Sequence, residues 1–353
     1  MSAHASLSTL TKLYREAPKV RLSSKDKIVV FSDLHLGDGG KDDDFLQNAR
    51  LFARVLGEYY YENGFTLVLN GDIEELKKFP LKKIVSRWES IYGIFNEFRK
   101  KNRLYKIVGN HDFDLFTQKN RKRAGKPFRA LKIDYGGKIL FVYHGHQASR
   151  FFENHDKLAG FLLRYFVFPL GIKNYSVSHD SMKKFKVEKR AYDFSIRKKV
   201  ISIIGHTHRP LFESLSKIDS IKFKIEQLCR LYTDADDMNK KKIEKDISYY
   251  RKELEYLYRK NMKNGSKSSL YNANLVIPCL FNSGCVIGKL GMTSIEITGN
   301  EIALAHWFDR RVSMKHFSHN EHVPERLGES EYYRLTIKKD FLDYIFTRIK
   351  LLT

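Results

Sequence analysis

The chain has 353 residues, 42% of them hydrophobic, and carries 64 Lys and Arg against 41 Asp and Glu, a formal net charge of +23. That length and apolar share fit one elaborated globular domain or two, and the basic excess points to an anionic partner: nucleic acid, a phospholipid surface or a phosphorylated substrate. Cys229, Cys279 and Cys285 lack CxxC spacing and an even count, which excludes a disulfide frame. The absence of a signal-peptide pattern and of ~18 uninterrupted apolar residues argues against secretion and membrane spanning.

Residues 1–26 read as a leader, with Leu7, Leu10 and Leu13 at helical spacing and Pro18 ending the helix. Five short apolar runs then read as strands, each followed by a polar block. Ile28–Phe31 leads to Asp33-Leu34-His35, and Leu67–Leu69 to Gly71-Asp72. Leu104–Val108 leads to Gly109-Asn110-His111-Asp112, Ile139–Tyr143 to His144-Gly145-His146, and Ile201–Ile204 to Gly205-His206-Thr207-His208. Helical patterns over Phe45–Tyr61 and Lys83–Phe98 alternate with the early strands, which implies α/β layering around a mainly parallel sheet. Ligands of such sheets sit beyond the carboxyl ends of the strands, where these blocks fall.

Three further segments interrupt or extend this pattern. Residues 147–199 read as an inserted helical lid (Ser149–Lys157, Leu158–Phe168, Met182–Lys198), with Phe151, Phe152, Phe161, Tyr165, Phe166 and Phe168 suited to an apolar chamber or to an ordinary helical core. In 216–264 two coiled-coil series, Ile218 to Leu228 and Ile243 to Leu257, read as a helical hairpin, an arm for a protein partner or a second copy. Strands resume at Leu280–Phe281, Met292–Ile297 and Ile302–Trp307. The main domain is read over 27–308, and a C-terminal extension, 309–353, closes on a helix at Leu342–Leu351.

The five blocks carry seven potential metal ligands: Asp33, His35, Asp72, Asn110, His144, His206 and His208. Mixed carboxylate, imidazole and amide donors suit Mn²⁺, Fe or Zn²⁺ better than Ca²⁺. On an extended chain, i,i+2 spacing puts Asp33 and His35 on one face, and likewise His206 and His208. Asp72 is the natural bridge between two ions ~3.5–4 Å apart, with Asn110 and His144 completing the second. Such a pair polarises a phosphoryl group and activates water for in-line attack. His111, positioned by Asp112, is the candidate acid for the leaving oxygen. His146 reads as standing behind the ligands, and Lys119–Arg123 as a phosphate-attracting loop or a solvated run.

These blocks resemble those of the calcineurin-like metallophosphoesterase superfamily over roughly 27–212 and again near 279–308. The resemblance implies a four-layer α/β/β/α sandwich. It also implies Asp33, His35, Asp72 and His208 on one ion, and Asp72, Asn110, His144 and His206 on the other. Asn282-Ser283-Gly284 is similar to the superfamily's late turn near the site. Ser32–Leu36, Gly71-Asp72-x-x-Glu75, the helical insert and Gly205–Pro210 further resemble the UDP-2,3-diacylglucosamine diphosphatase-like subfamily, which cleaves a pyrophosphate in lipid A synthesis at the membrane surface. The expected function is metal-dependent hydrolysis of a phosphoester or pyrophosphate, with a phosphoprotein phosphatase or nucleotide phosphodiesterase as the alternative. The expected cofactors are two divalent ions, with Mn²⁺ preferred. The expected location is cytoplasmic, including the inner face of an anionic membrane. A non-enzymatic scaffold is disfavoured because all seven ligands stand, and nucleic acid rests on charge alone.

Overall fold

A computed structural model describes residues 2–116, 126–149, 181–212, 235–263, 277–314 and 323–353, with scattered positions between 221 and 233. The basic loop at 119–123, residues 150–180 of the expected lid and most of the hairpin's first arm lie outside the described residues. Along the chain, α1 (Ser2–Glu16) leads into β1 (Lys19–Leu22) and β2 (Lys27–Phe31). Next come α2 (Ala49–Arg54), β3 (Phe65–Asn70), α3 (Leu81–Arg87), α4 (Glu89–Lys100) and β4 (Leu104–Ile107). The pair β5 (Ala130–Tyr135) and β6 (Lys138–Tyr143) precedes α5 (Ser181–Lys198), β7 (Ile201–Ile204) and α6 (Asp237–Lys263). The chain ends through β8 (Leu280–Asn282), β9 (Met292–Thr298), β10 (Glu301–Asp309), β11 (Glu325–Arg326), β12 (Tyr332–Phe341) and α7 (Leu342–Leu352).

Among the described residues two sheets form, ordered β1-β5-β6-β7-β8 and β11-β12-β10-β9-β2-β3-β4. The period of two along β2 shows how they stack. Ile28 and Val30 join one core with Ile133, Leu140 and Ile203 of the other sheet. Val29 and Phe31 turn the opposite way and join Phe52, Val55, Ile91 and Phe95 of the flanking helices. On the far side, Tyr14 of α1 and Phe194 of α5 pack on Phe141 of β6, at ring separations of 5.1 and 5.6 Å. The result is helices, sheet, sheet, helices: the four-layer sandwich. Among the described residues no helix is long and apolar enough to cross a membrane.

Both chain ends are built into these layers. Leu10 of α1 is fully buried, and β1 pairs parallel to β5, with Lys19 bridged to Asp134 at 2.8 Å. The extension supplies β12, antiparallel to β10, and α7, whose Leu342, Ile345 and Ile349 enter the core. The helix expected over Phe45–Tyr61 changes pitch as it runs. It opens as a 3₁₀ turn at Leu46–Asn48, becomes α2, and widens to a π-helix at Val55–Tyr61. The helix expected over Lys83–Phe98 is broken at Trp88 (φ −107°, ψ 33°), whose indole N–H donates to Gly37 O at 3.0 Å. That bond ties the helix pair to the loop after β2. The expected helix Met182–Lys198 is α5, and the hairpin's second series lies on α6.

Candidate metal centre

The motif-bearing loops leave their strands at one edge because the strands end in register. Phe31 pairs with Leu69 and Asn70 with Ile107 in one sheet; Val142 pairs with Ile203 and Ile204 with Asn282 in the other. The loops then zip together. Asp33 N–H donates to Gly71 O (3.0 Å), His35 N–H to Asp72 O (3.0 Å), and Gly205 N–H to His144 O (2.9 Å). Across the sandwich, Asp33 Oδ2 accepts from His206 N–H at 2.9 Å, and Asn70 Nδ2 donates to Tyr143 O at 3.1 Å.

Among the described residues seven non-glycine positions have positive φ, and five of them are Asp33 (55°), His35 (50°), Asp72 (52°), His206 (65°) and His208 (54°). Each such conformation costs roughly 1–3 kcal/mol and persists where the surroundings over-determine it; here the zipped loops do so. This corrects the extended-chain expectation for both i,i+2 pairs. Asp33 and His35 converge through left-handed backbone, and His206 and His208 diverge to different clusters. Two glycines serve close approach rather than φ: a Cβ on Gly109 would strike the Asp72 carboxylate, and one on Gly205 would strike Ser32 and Asp33.

Six of the seven candidate ligands gather in two groups, Asp33–His35–His208 and Asp72–His144–His206, with the ligand atoms of each within 4.8 Å of one another, and His35 also joins Glu75 and His111 in a third. His208 Nε2 lies 3.1 Å from Asp33 Oδ1 and 3.3 Å from His35 Nε2. His144 Nε2 lies 3.1 Å from Asp72 Oδ2, which is also 4.0 Å from His35 Nε2. Asp72 therefore touches both groups. Asn110 Oδ1 and His206 Nε2 are buried without a hydrogen-bond partner among the described residues. Buried polar atoms are normally satisfied, so the unpaired His206 Nε2, within 4.8 Å of the Asp72 and His144 donor atoms, fits a bound cation. The opposite nitrogens are already engaged: His144 Nδ1 on Asn70 O at 2.8 Å, and His35 Nδ1 on Glu75 Oε2 at 2.8 Å. Such bonds fix the tautomer and aim Nε2 at a metal.

Electrostatics agree with this division. Burial would raise the Asp33 carboxyl, but His208 and His144 outweigh it and hold it at about 2. Asp72 lies well below the carboxylate range because His144 and His111 outweigh its burial. Burial and the neighbouring His144 hold His206 near 3, so its imidazole is neutral, the form that ligates. Burial pushes His144 down, yet Asp72 and Asp33 raise it to about 9. His146 is buried beside His144 at a ring separation of 5.4 Å, and burial with the two neighbouring histidines holds it well below its ordinary value.

The expectation that Asp112 positions His111 is not met. Asp112 accepts the backbone N–H of Gly109 (2.6 Å) and of Ile73 (2.8 Å), joining the loops after β3 and β4. Burial and the nearby Asp72 and Glu74 raise it to about 7. Glu75 holds the ring instead, with Oε1 2.7 Å from His111 Nδ1. The same carboxylate grips His35, and these two histidines outweigh burial to keep it at about 2. Glu75 and Asn70 are the site residues that sequence reasoning did not assign. Their signal was a polar residue at a buried position, one ending β3 and one three residues after Asp72.

The calcineurin-like phosphoesterase family model matches residues 26–226. The chain belongs to the calcineurin-like phosphoesterase family. It is a metal-dependent phosphoesterase, a hydrolase acting on phosphoester bonds. No curated protein matches it in sequence. The family match spans all five ligand-bearing loops, from β2 past β7.

One consequence of this electrostatic arrangement is measurable. With its pKa raised to about 9, His144 is protonated at pH 7 in the metal-free phosphoesterase, whereas ligation needs neutral imidazole. Metal uptake at pH 7 is expected to release a proton, and the apparent affinity to rise with pH up to about 9. Calorimetry in buffers of different ionisation enthalpy reads this directly; binding heats independent of buffer would contradict it.

Proposed function

We propose that this phosphoesterase holds two divalent ions, Mn²⁺ by preference with Fe or Zn²⁺ also suited, and cleaves the pyrophosphate of a UDP-2,3-diacylglucosamine-like, lipid-linked substrate. The observation that carries the two-ion reading is the meeting of two ligand groups at Asp72. Asp33, His35, Asp72 and His208 hold one ion; Asp72, Asn110, His144 and His206 hold the other. When bound, the ions supply Lewis-acid polarisation of the phosphoryl group and activation of water near neutral pH. Glu75 holds His111 through Nδ1, which leaves Nε2, 4.0 Å from Asp72 Oδ2 and part-exposed, to protonate the leaving oxygen.

The net charge of +23 supports attraction to an anionic substrate and to the inner, cytoplasmic face of an anionic membrane. The segment 216–264 is proposed as an arm for a protein partner or a second copy. Tyr232 donates to Glu244 at 2.7 Å and Lys222 lies 5.6 Å from the Tyr258 ring, an order that reverses along the two segments as in an antiparallel hairpin.

A Mn²⁺-supported hydrolysis panel tests the substrate. A UDP-linked diacyl sugar is expected to exceed dinucleotides, a phosphopeptide and single-stranded nucleic acid in kcat/KM by roughly a hundredfold. Faster turnover of the phosphopeptide or a dinucleotide would favour a phosphoprotein phosphatase or a nucleotide phosphodiesterase.

A further inference from the structure

Thr207 separates His206, which joins Asp72 and His144, from His208, which joins Asp33 and His35. Both histidines have positive φ, so the direction of each ring depends on a backbone path that an unsupported loop would relax. The support comes from Thr207 itself. Its side chain is fully buried; its hydroxyl donates to Glu188 Oε1 at 2.7 Å and accepts from Asn282 Nδ2 at 2.9 Å. Arg209, on the far side of His208, donates through Nε to Glu188 Oε1 at 3.2 Å and pairs through Nη2 with Oε2. One carboxylate therefore grips the loop on both sides of His208.

Glu188 is a suitable anchor for mechanical and energetic reasons. It lies on α5, whose Val187, Ala191 and Phe194 are locked into the core, so the grip is carried by a rigid element. Glu188 is fully buried, and a buried carboxylate is unfavourable unless paired and hydrogen-bonded. Among the described residues the bonds on both of its oxygens come from this one loop.

We propose that Glu188 is a positioning residue of the metal centre: through Thr207 and Arg209 it fixes the loop that hands one histidine to each ligand group, so both ions depend on it together. The proposal rests on the two-ion reading. It separates Glu188 from an ordinary core residue, whose loss lowers stability but leaves the metal affinity of the folded protein unchanged.

The test is calorimetric titration of the full metal-free chain with Mn²⁺ alone, with folding checked by circular dichroism and thermal unfolding. E188Q keeps the shape but removes the charge facing Arg209; T207V breaks the link from the loop side without altering Glu188. Each is expected to weaken both Mn²⁺ sites about 10–100-fold, the scale of residues that orient ligands. The double variant is expected to lose at least as much as the worse single one, since T207V cuts the Thr207 side of the grip and E188Q weakens the Arg209 side. Wild-type protein binding two Mn²⁺, with both variants binding within twofold of it, overturns the proposal alone. Wild-type protein that binds no Mn²⁺ overturns the two-ion reading and this proposal with it.

Discussion

Asp72→Asn is expected to lower Mn²⁺-dependent phosphoester hydrolysis by about a thousandfold or more, roughly 4 kcal/mol of barrier. Both carboxylate oxygens are in use. Oδ1 accepts the backbone N–H of His111 at 2.7 Å, and Oδ2 faces His144 at 3.1 Å and His35 at 4.0 Å. An amide supplies one oxygen, carries no charge, and turns an NH₂ toward one of these donors. The loop after β4 loses its tie or the two ligand groups lose their shared member, and chemistry fails in either case. Circular dichroism should remain that of the wild type, because the strands that deliver the loops are set by the cores on both faces of β2. Activity within tenfold of wild type would remove Asp72 from the centre.

His111→Asn should behave differently. A positioned general acid contributes about 10²–10⁴-fold, and that loss is expected in kcat with the metal content intact. His111 is held by Glu75 and part-exposed, while Asp72, His144 and His206 are buried. The loss should depend on the leaving group. An alkyl phosphate or pyrophosphate, whose departing oxygen needs protonation, should suffer fully. A p-nitrophenyl ester, whose oxygen leaves as a stable anion, should suffer much less. Equal losses on both substrates would assign His111 to binding rather than to proton transfer. Glu75→Gln should show the same leaving-group signature more weakly and also weaken metal binding, since the one carboxylate aims both His111 and His35.

The convergence of the candidate ligands was legible because each sits just after a short apolar run, and strand ends converge by construction in an α/β sheet. Burial of Asp33, Asp72 and His144 bears the same imprint, since such residues reach a core edge only when something there holds them. The local geometry was not legible. Alternation presumes extended backbone, and no residue type at Asp33, His35, His206 or His208 announces positive φ as glycine would. Long-range pairing was also hidden. Asp112 follows His111 directly, yet Glu75, 36 positions away in sequence, holds the ring, because the short Asp112 side chain is drawn under the turn by two backbone amides. At the periphery, β12 reads YYRLTIKKDF, and its lysines mask a strand whose inward residues Tyr333 and Leu335 are buried. Trp88 sits within a continuous helical pattern, and its break is set by a bond to Gly37 that no local propensity encodes.

The seven residues are proposed to form one centre for two ions coupled through Asp72. The most direct measurement is elemental analysis of the Mn²⁺-loaded protein combined with electron paramagnetic resonance. Two Mn²⁺ per chain with a spin-coupled spectrum is the predicted result. One ion per chain, or two with the spectra of isolated ions, would contradict it.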